Sequence, residues 1–303
     1  MSLNSPSLRF VLLGSDTQTG MALVQQFEER QILYHAASVA DLKSAEQVSD
    51  FLASHVTDRF VVNCLFEENS SDDSLSSVLW ADWNQRIIHL CNKQQQTLIS
   101  LSSMRVFSGK SDHAYAENEA PDSETSIGVV YQQLENQILE SGVMAVILRV
   151  GWLFSEQLGN ILTHLIRAAV RRESLRVSGN LRGCPTDANS VAKVIIAVAE
   201  QLDCNTGLPE LPGIYHYADS DACTMHTFAK TVVTIVKSMT DVKVESIEEG
   251  DSPEMVDAVT EPENFEVSCK KILFTFGIKQ RPWRRSVHEV LKKKMIADMG
   301  TFP

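Results

Sequence analysis

The segment LLGSDTQTGMALVQQF, residues 12–27, carries the clearest chemical signal in the chain. A short apolar run ends at Gly14, and Gly20 falls where apolar residues begin to recur at helical spacing. A strand that turns tightly into a helix aims backbone N–H groups and the positive helix end at one spot, which is what a phosphate or pyrophosphate requires. The turn reads Gly14-Ser15-Asp16-Thr17-Gln18-Thr19-Gly20, so Gly14, Asp16, Thr17, Gln18, Thr19 and Gly20 are the candidate phosphate-turn residues. A Cβ at position 17 restricts positive φ and narrows the approach of a phosphate, although a threonine hydroxyl is itself able to donate to one. Beyond the next expected strand stands Tyr34-His35-Ala36-Ala37-Ser38, with no carboxylate to hold a ribose, so strict NAD preference by that route is not expected.

Other residues that do chemistry are scattered. The six cysteines, Cys64, Cys91, Cys184, Cys204, Cys223 and Cys269, form no CxxC pair. They read as reduced thiols packed as small hydrophobes, with neither a disulfide framework nor a metal site. His216 in GIYHYA reads as a structural histidine at a strand end. Arg167, Arg171 and Arg172 read as a solvated helix face, and Lys292-Lys293-Lys294 as a charge run favoured by a helix C-terminus.

The elements that must position these residues alternate. Strands are expected at 9–14, 31–36, 60–65, 97–101 and 143–148, and helices at 21–30, 40–55, 77–95 and 128–141. Continuous apolar strands between helices imply a parallel sheet covered on both faces. From residue 151 the pattern changes to helices at 159–173, 188–202, 223–240 and 286–298, a Gly/Pro-bearing loop at 179–185, and an acidic surface loop at 245–266 with at most short structured pieces. The expected division is 1–150 and 151–303, with 187–218 returning to the sheet. The acidic segment 67–77, EENSSDDSLSS, is a loop by composition, and its place after a central strand turns it toward the ligand crevice.

With 303 residues, 44% hydrophobic and 22% charged, the chain is long enough for one large core or two unequal lobes. A net charge of -12 without a basic stripe argues against nucleic-acid and membrane-surface partners. The start, with an apolar run only from Phe10 to Leu13, is neither a signal peptide nor a membrane helix, which points to the cytoplasm.

From end to end the chain resembles dTDP-4-dehydrorhamnose reductase and its sugar-nucleotide-binding relatives among the extended short-chain dehydrogenases. The matching stretches are LLGSDTQTG (12–20), VVNC (61–64), SSMRVFSG (102–109), YAENEAP (115–121), LRVGWLF (148–154), GNLRGCPT (179–186), GIYHYA (213–218) and CKKILFTFGIKQRPW (269–283). The resemblance implies an α/β fold, a Rossmann-type doubly wound parallel sheet with a smaller C-terminal substrate lobe. It implies NADP or NAD as cofactor, a nucleotide-sugar ligand and a possible homodimer through helices 77–95 and 128–141. Asn63 and Ser102 fall on the cofactor side. Trp152, Arg182, Gly183, Pro185 and Thr186, with Trp283 near the end, fall among the residues that would hold a nucleotide-sugar; Arg182 suits a diphosphate through its guanidinium fork.

The same resemblance exposes a gap. The family's proton-transfer set is a Ser or Thr, a Tyr, and a Lys four residues beyond it; here these fall on Ser103, Ile127 and Tyr131, with Glu135 on the usual glutamate. Isoleucine donates no proton, and no lysine occurs from Ser111 through Ala192. A ketone receiving hydride needs a donor within reach, and a nearby ammonium lowers a phenol's pKa toward neutral. Tyr131, one turn along the same face, is the available substitute. Met104 and Arg105 replace the family's aspartate and aromatic, and Phe66-Glu67-Glu68 replaces Ala-Tyr-Thr after the third strand. Three readings follow: a binding or regulatory protein without hydride transfer, an NAD(P)H-dependent oxidoreductase using Ser103 with Tyr131, Tyr115 or water, and an isomerase-like reaction needing no external acid.

Overall fold

The computed structural model describes residues 8–67, 76–157, 159–204, 211–250 and 263–298. Six strands build the main sheet: β1 (Arg9–Leu13), β2 (Leu33–Ala37), β3 (Phe60–Asn63), β4 (Thr97–Ser103), β5 (Ala145–Val150) and, after an interval, β10 (Gly213–Tyr217). Their spatial order is β10-β5-β4-β3-β1-β2, and every pairing is parallel. The buried runs of β1, β3 and β5 fit a sheet covered on both faces. Between these strands come α1 (Gln18–Arg30), α2 (Ala45–Ala53), α3 (Ser76–Gln94) and α4 (Ser126–Glu140). α1 packs on α6 (Ala188–Cys204), whereas α2, α3 and α4 pack in succession. Because the chain steps from β1 out to β2 and then back to β3 on the other side, the strand order reverses between β1 and β3. Folds of this order bind ligands at the carboxyl ends of two such strands.

A second hydrophobic cluster forms around Phe154, Phe228 and Trp283. Its elements are β6 (Trp152–Phe154), α5 (Ile161–Arg171), β7 (Ser174–Val177), β8 (Leu181–Gly183), β9 (Pro185–Asp187), β11 (Cys223–Thr224), α7 (Met225–Lys237), β12 (Ser246–Glu249), β13 (Glu263–Asn264) and α9 (Trp283–Asp298); α8 (Lys270–Phe276) lies against the main core through Ile272 and Phe276.

Several boundaries differ from the sequence reading for local reasons. The expected loop 179–185 holds the short strand β8 and the start of β9, whose glycine and proline ends read as loop punctuation. Pro185 opens β9 without needing an N–H, because Trp152 N–H donates to the Cys184 carbonyl at 3.0 Å. Helix α2 starts at residue 45, later than the expected 40, since Asp41 N–H closes a turn on the Ser38 carbonyl and Ser44 caps the helix. In the acidic 245–266 stretch the described ends form β12 and β13, while 251–262 lie outside the described residues, as do Glu68 and the loop through residue 75. Among the described residues no helix is long and apolar enough to cross a membrane.

Candidate functional site

Gly14 has φ +84 and a Cβ there would meet the Cys64 carbonyl carbon at 2.9 Å; one at Gly20 would overlap the Gly14 carbonyl. Both glycines therefore serve the close approach of α1 to β1 and β3. Thr17 does a different job from the one expected. Its φ of -75 and ψ of 166 are ordinary extended values, so a side chain causes no strain there. It is the N-cap of α1: its hydroxyl donates to the Gly14 carbonyl at 2.9 Å and accepts from Gly20 N–H at 3.1 Å. That hydroxyl is committed to its own turn instead of a phosphate. Asp16 likewise accepts from Val39 N–H at 2.6 Å, tying the turn to the end of β2.

The remaining donors at the head of α1 are taken by a residue whose role the sequence reading missed. Gln18 N–H donates to Glu67 Oε1 at 2.7 Å, and Thr19 N–H donates to Glu67 Oε2 at 2.9 Å. Glu67 is only 6% exposed; burial pushes its carboxyl pKa up, against the opposing pull of the α1 hydrogen bonds. The turn has the backbone shape for a pyrophosphate, but in this arrangement its donors do not fit one, because a carboxylate already holds them. The available signal was a charged residue just past a central strand; its meeting with the head of α1 arises only from the β1–β3 pairing.

The residues expected from the resemblance to carry proton transfer are equally inward. Ile127, in the first turn of α4, is half-buried against the main core. Tyr131 is 3% exposed and its hydroxyl donates to the Phe66 carbonyl at 2.5 Å, so the phenol expected as a substitute acid points into the protein. Tyr115, the other candidate donor, is buried, stacks on Phe107 and accepts from Ser111 N–H at 3.2 Å. Ser103 ends β4, and its hydroxyl accepts from Arg105 N–H at 3.2 Å. Asn63 donates to Ser100 and accepts from Leu65 N–H, a brace at the end of β3.

Ser102 belongs to a buried network. Its hydroxyl donates to Glu135 Oε1 at 2.6 Å, and Arg149 grips the same carboxylate through Nε at 2.8 Å and Nη2 at 2.6 Å. The guanidinium lies 5.0 Å from the Phe107 ring centroid and 3.3 Å, through Nη1, from His216 Nε2. Burial and the adjacent guanidinium hold the His216 imidazolium down to about 3, so the ring is neutral. Five of the six cysteines are buried, Cys204 is exposed, and all six are free.

In the second cluster, Trp152 lies over Gly183, where any Cβ would overlap the indole. Pro185 and Thr186 are buried in β9, and the Thr186 hydroxyl donates to the Cys184 carbonyl at 2.9 Å. Trp283 is core: it is fully buried, and its indole N–H donates to the Asp221 carbonyl at 2.6 Å. Arg182 is half-exposed and ion-paired with Glu266 at 2.9 Å. Ser155, just past β6, donates to the Gln18 side chain at 3.0 Å and so joins this cluster to the head of α1.

A parallel sheet with a strand-order reversal beside a glycine-bracketed helix start defines the α/β dinucleotide-fold class of protein. The family model described as RmlD substrate binding domain matches residues 8–296, and the chain belongs to that family. A dTDP-4-dehydrorhamnose reductase of Sinorhizobium fredii is 26% identical over 196 residues, covering 64% of this chain and 65% of that protein. The spore coat polysaccharide biosynthesis protein SpsK of Bacillus subtilis is 24% identical over 199 residues, 66% of this chain and 65% of its own length. The matched stretch thus spans about 65% of either relative. Among solved structures, the dTDP-4-dehydrorhamnose reductase of Bacillus anthracis in complex with NADP superposes with a TM-score of 0.81 at 18% identity, covering 95% of this chain and 99% of that one. MoeE5 in complex with UDP-glucose and NAD gives a TM-score of 0.71 at 14% identity, covering 96% and 100%. At these identities the structural likeness carries the fold.

Proposed function

We propose that this chain is a nucleotide-sugar-binding protein on a reductase-type scaffold, without the proton-transfer pair that ketone reduction by hydride requires. The reading is supported by the resemblance, on which Ile127 and Tyr131 fall at the family's tyrosine and lysine positions, and by one observation that carries it: the Tyr131 phenol donates to the Phe66 carbonyl. An alkoxide formed beside Ile127 would lack both the donor and the cation that stabilise it. Support for the ligand class comes from the reductase relatives, which act on a dTDP-sugar by name, and from the neighbour solved with UDP-glucose. Trp152 against Gly183 supplies a flat apolar face, and Arg182 supplies a guanidinium that would exchange Glu266 for a diphosphate. Six free cysteines suit a reducing cytoplasm. A homodimer through α3 and α4 is part of the same proposal, since these helices pack together and leave Leu79, Val129 and Leu139 exposed; a monomer mass by light scattering would reject that part. The test of the main reading is calorimetric titration with dTDP-glucose and UDP-glucose, in which at least one binds the wild type and Arg182→Ala weakens it. Failure of both ligands to bind would overturn it.

A further inference from the structure

The first amides of α1 leave nothing for an incoming anion: Gln18 and Thr19 donate to the two oxygens of Glu67, Gly20 donates to the Thr17 hydroxyl, and Met21 continues the helix on the Thr17 carbonyl. Pyrophosphate of a dinucleotide binds at this helix end in folds of this order, using the same kind of donors. We propose that the Glu67 carboxylate is a built-in competitor for the pyrophosphate place, so that a dinucleotide enters this site only by expelling it. The inference rests on the proposed reading of the chain as a nucleotide-ligand scaffold.

The carboxylate is aimed there by the fold. Leu13 and Asn63 are register partners, and Cys64 N–H donates to the Leu13 carbonyl at 2.9 Å, which sets the β3 end directly beside the turn. The backbone that follows is fixed at successive points: Leu65 N–H on the Asn63 side chain, the Phe66 carbonyl under the Tyr131 hydroxyl, and Glu67 N–H on the Cys64 carbonyl at 3.2 Å. Tyr131 therefore does two things at once. It removes the lysine from the proton-transfer set, and it pins the residue preceding the competitor. One oxygen per amide, at 2.7 and 2.9 Å, is the arrangement two phosphate oxygens would take. The titratable group facing Glu67 from β3's end is the Cys64 thiol, which burial and this carboxylate keep neutral. Burial disfavours the charged carboxylate, and the helix end and its amides oppose that cost. Removing the carboxylate leaves those amides open to a stronger anion.

The apparent dissociation constant of a ligand rises by the reciprocal of the fraction of protein in the open state. NADP+ titrated calorimetrically into the full chain at neutral pH is therefore expected to bind Glu67→Ala about tenfold or more tightly than wild type. Glu67→Gln keeps the shape but is uncharged and offers one acceptor oxygen where the carboxylate offers one to each amide, so it is expected to tighten binding as well, and it carries the test should the alanine variant fold poorly. Equal NADP+ affinity in wild type and both variants overturns the proposal, as does no NADP+ binding by any of them. dTDP-glucose titrated into the wild type reports separately on the parent reading. If the sugar nucleotide binds and the NADP+ pattern fails, the competitor is refuted and the scaffold reading stands; if neither ligand binds any form, both fall.

Discussion

At the carboxyl ends of β1, β3 and β4 the polar groups that a reductase would turn toward ligand are turned toward the protein: Thr17 to its own turn, Glu67 to α1, Tyr131 to Phe66, Ser102 to Glu135. Across from them, at β6 and β8, Trp152 keeps its place over a glycine and Arg182 stays half-exposed, paired with Glu266. The first region has kept the fold's geometry while filling its donors and acceptors from within. The second retains groups that a ligand can still engage. On the proposed function, loss of chemistry with retention of binding needs no loss of fold, because an internal hydrogen bond satisfies a buried donor as well as a ligand does.

This contrast is open to attack at several depths. The largest effect is expected under the first region, where Arg149 and Glu135 are 1% and 3% exposed. Arg149→Met leaves the Glu135 carboxylate buried without its cation and should lower unfolding stability by about 3–5 kcal/mol in urea titration; a loss under about 1 kcal/mol would mean that water reaches the pair. In the second region, Gly183→Ala drives a methyl into the Trp152 indole. Overpacking of this kind costs about 1–3 kcal/mol, and since the indole must move, dTDP-glucose affinity should fall about tenfold. Unchanged affinity would take Trp152 out of the ligand site.

Between the regions, two buried carboxylates give a pH signature. Burial pushes Asp219 up to about 7, with Asp187 adding to the rise and the Ser286 hydroxyl opposing it. Burial likewise raises Asp187 to about 6, opposed by Asn189 N–H and the Lys193 and Arg281 charges. Both folded values exceed the ordinary 3.8, so the stability they contribute is full below that value and is lost as pH rises through about 6 and 7. The melting temperature should therefore fall between about pH 4 and 7, and Asp219→Asn should flatten that slope. A wild-type melting temperature rising over this range would contradict the assignment. The smallest effect is that of Tyr131→Phe, which removes one buried hydrogen bond and should cost about 1 kcal/mol. An equal stability for this variant would deny that the phenol braces the Phe66 carbonyl.

Much of this was readable from the chain. Apolar runs at 9–14, 60–65 and 143–148 marked central parallel strands because burial on both faces demands continuous hydrophobicity. The placing of Ile127 and Tyr131 on the family's tyrosine and lysine rests on sequence resemblance alone, and it was readable because that spacing is local to one helix. Contacts between distant segments were not: residues 18 and 67 meet only when β1 and β3 become neighbours. Composition therefore marked Glu67 as the start of an acidic surface loop. Thr17 was misjudged for a related reason, since its sequence neighbours indicate a glycine-type turn whereas its capping bonds appear only with the helix in place. The short strands β8 and β9 were hidden by glycine and proline, which punctuate loops more often than they bound strands.

The central claim concerns the empty proton-transfer set, and the steady-state rate of the purified wild type tests it most directly. With NADPH or NADH and a dTDP-4-keto-6-deoxy sugar, the absence of a donor at Ile127 and the commitment of Tyr131 to Phe66 predict no turnover above the uncatalysed background. Turnover at about 1 s⁻¹ or more, within the ordinary enzymatic range, would contradict the account.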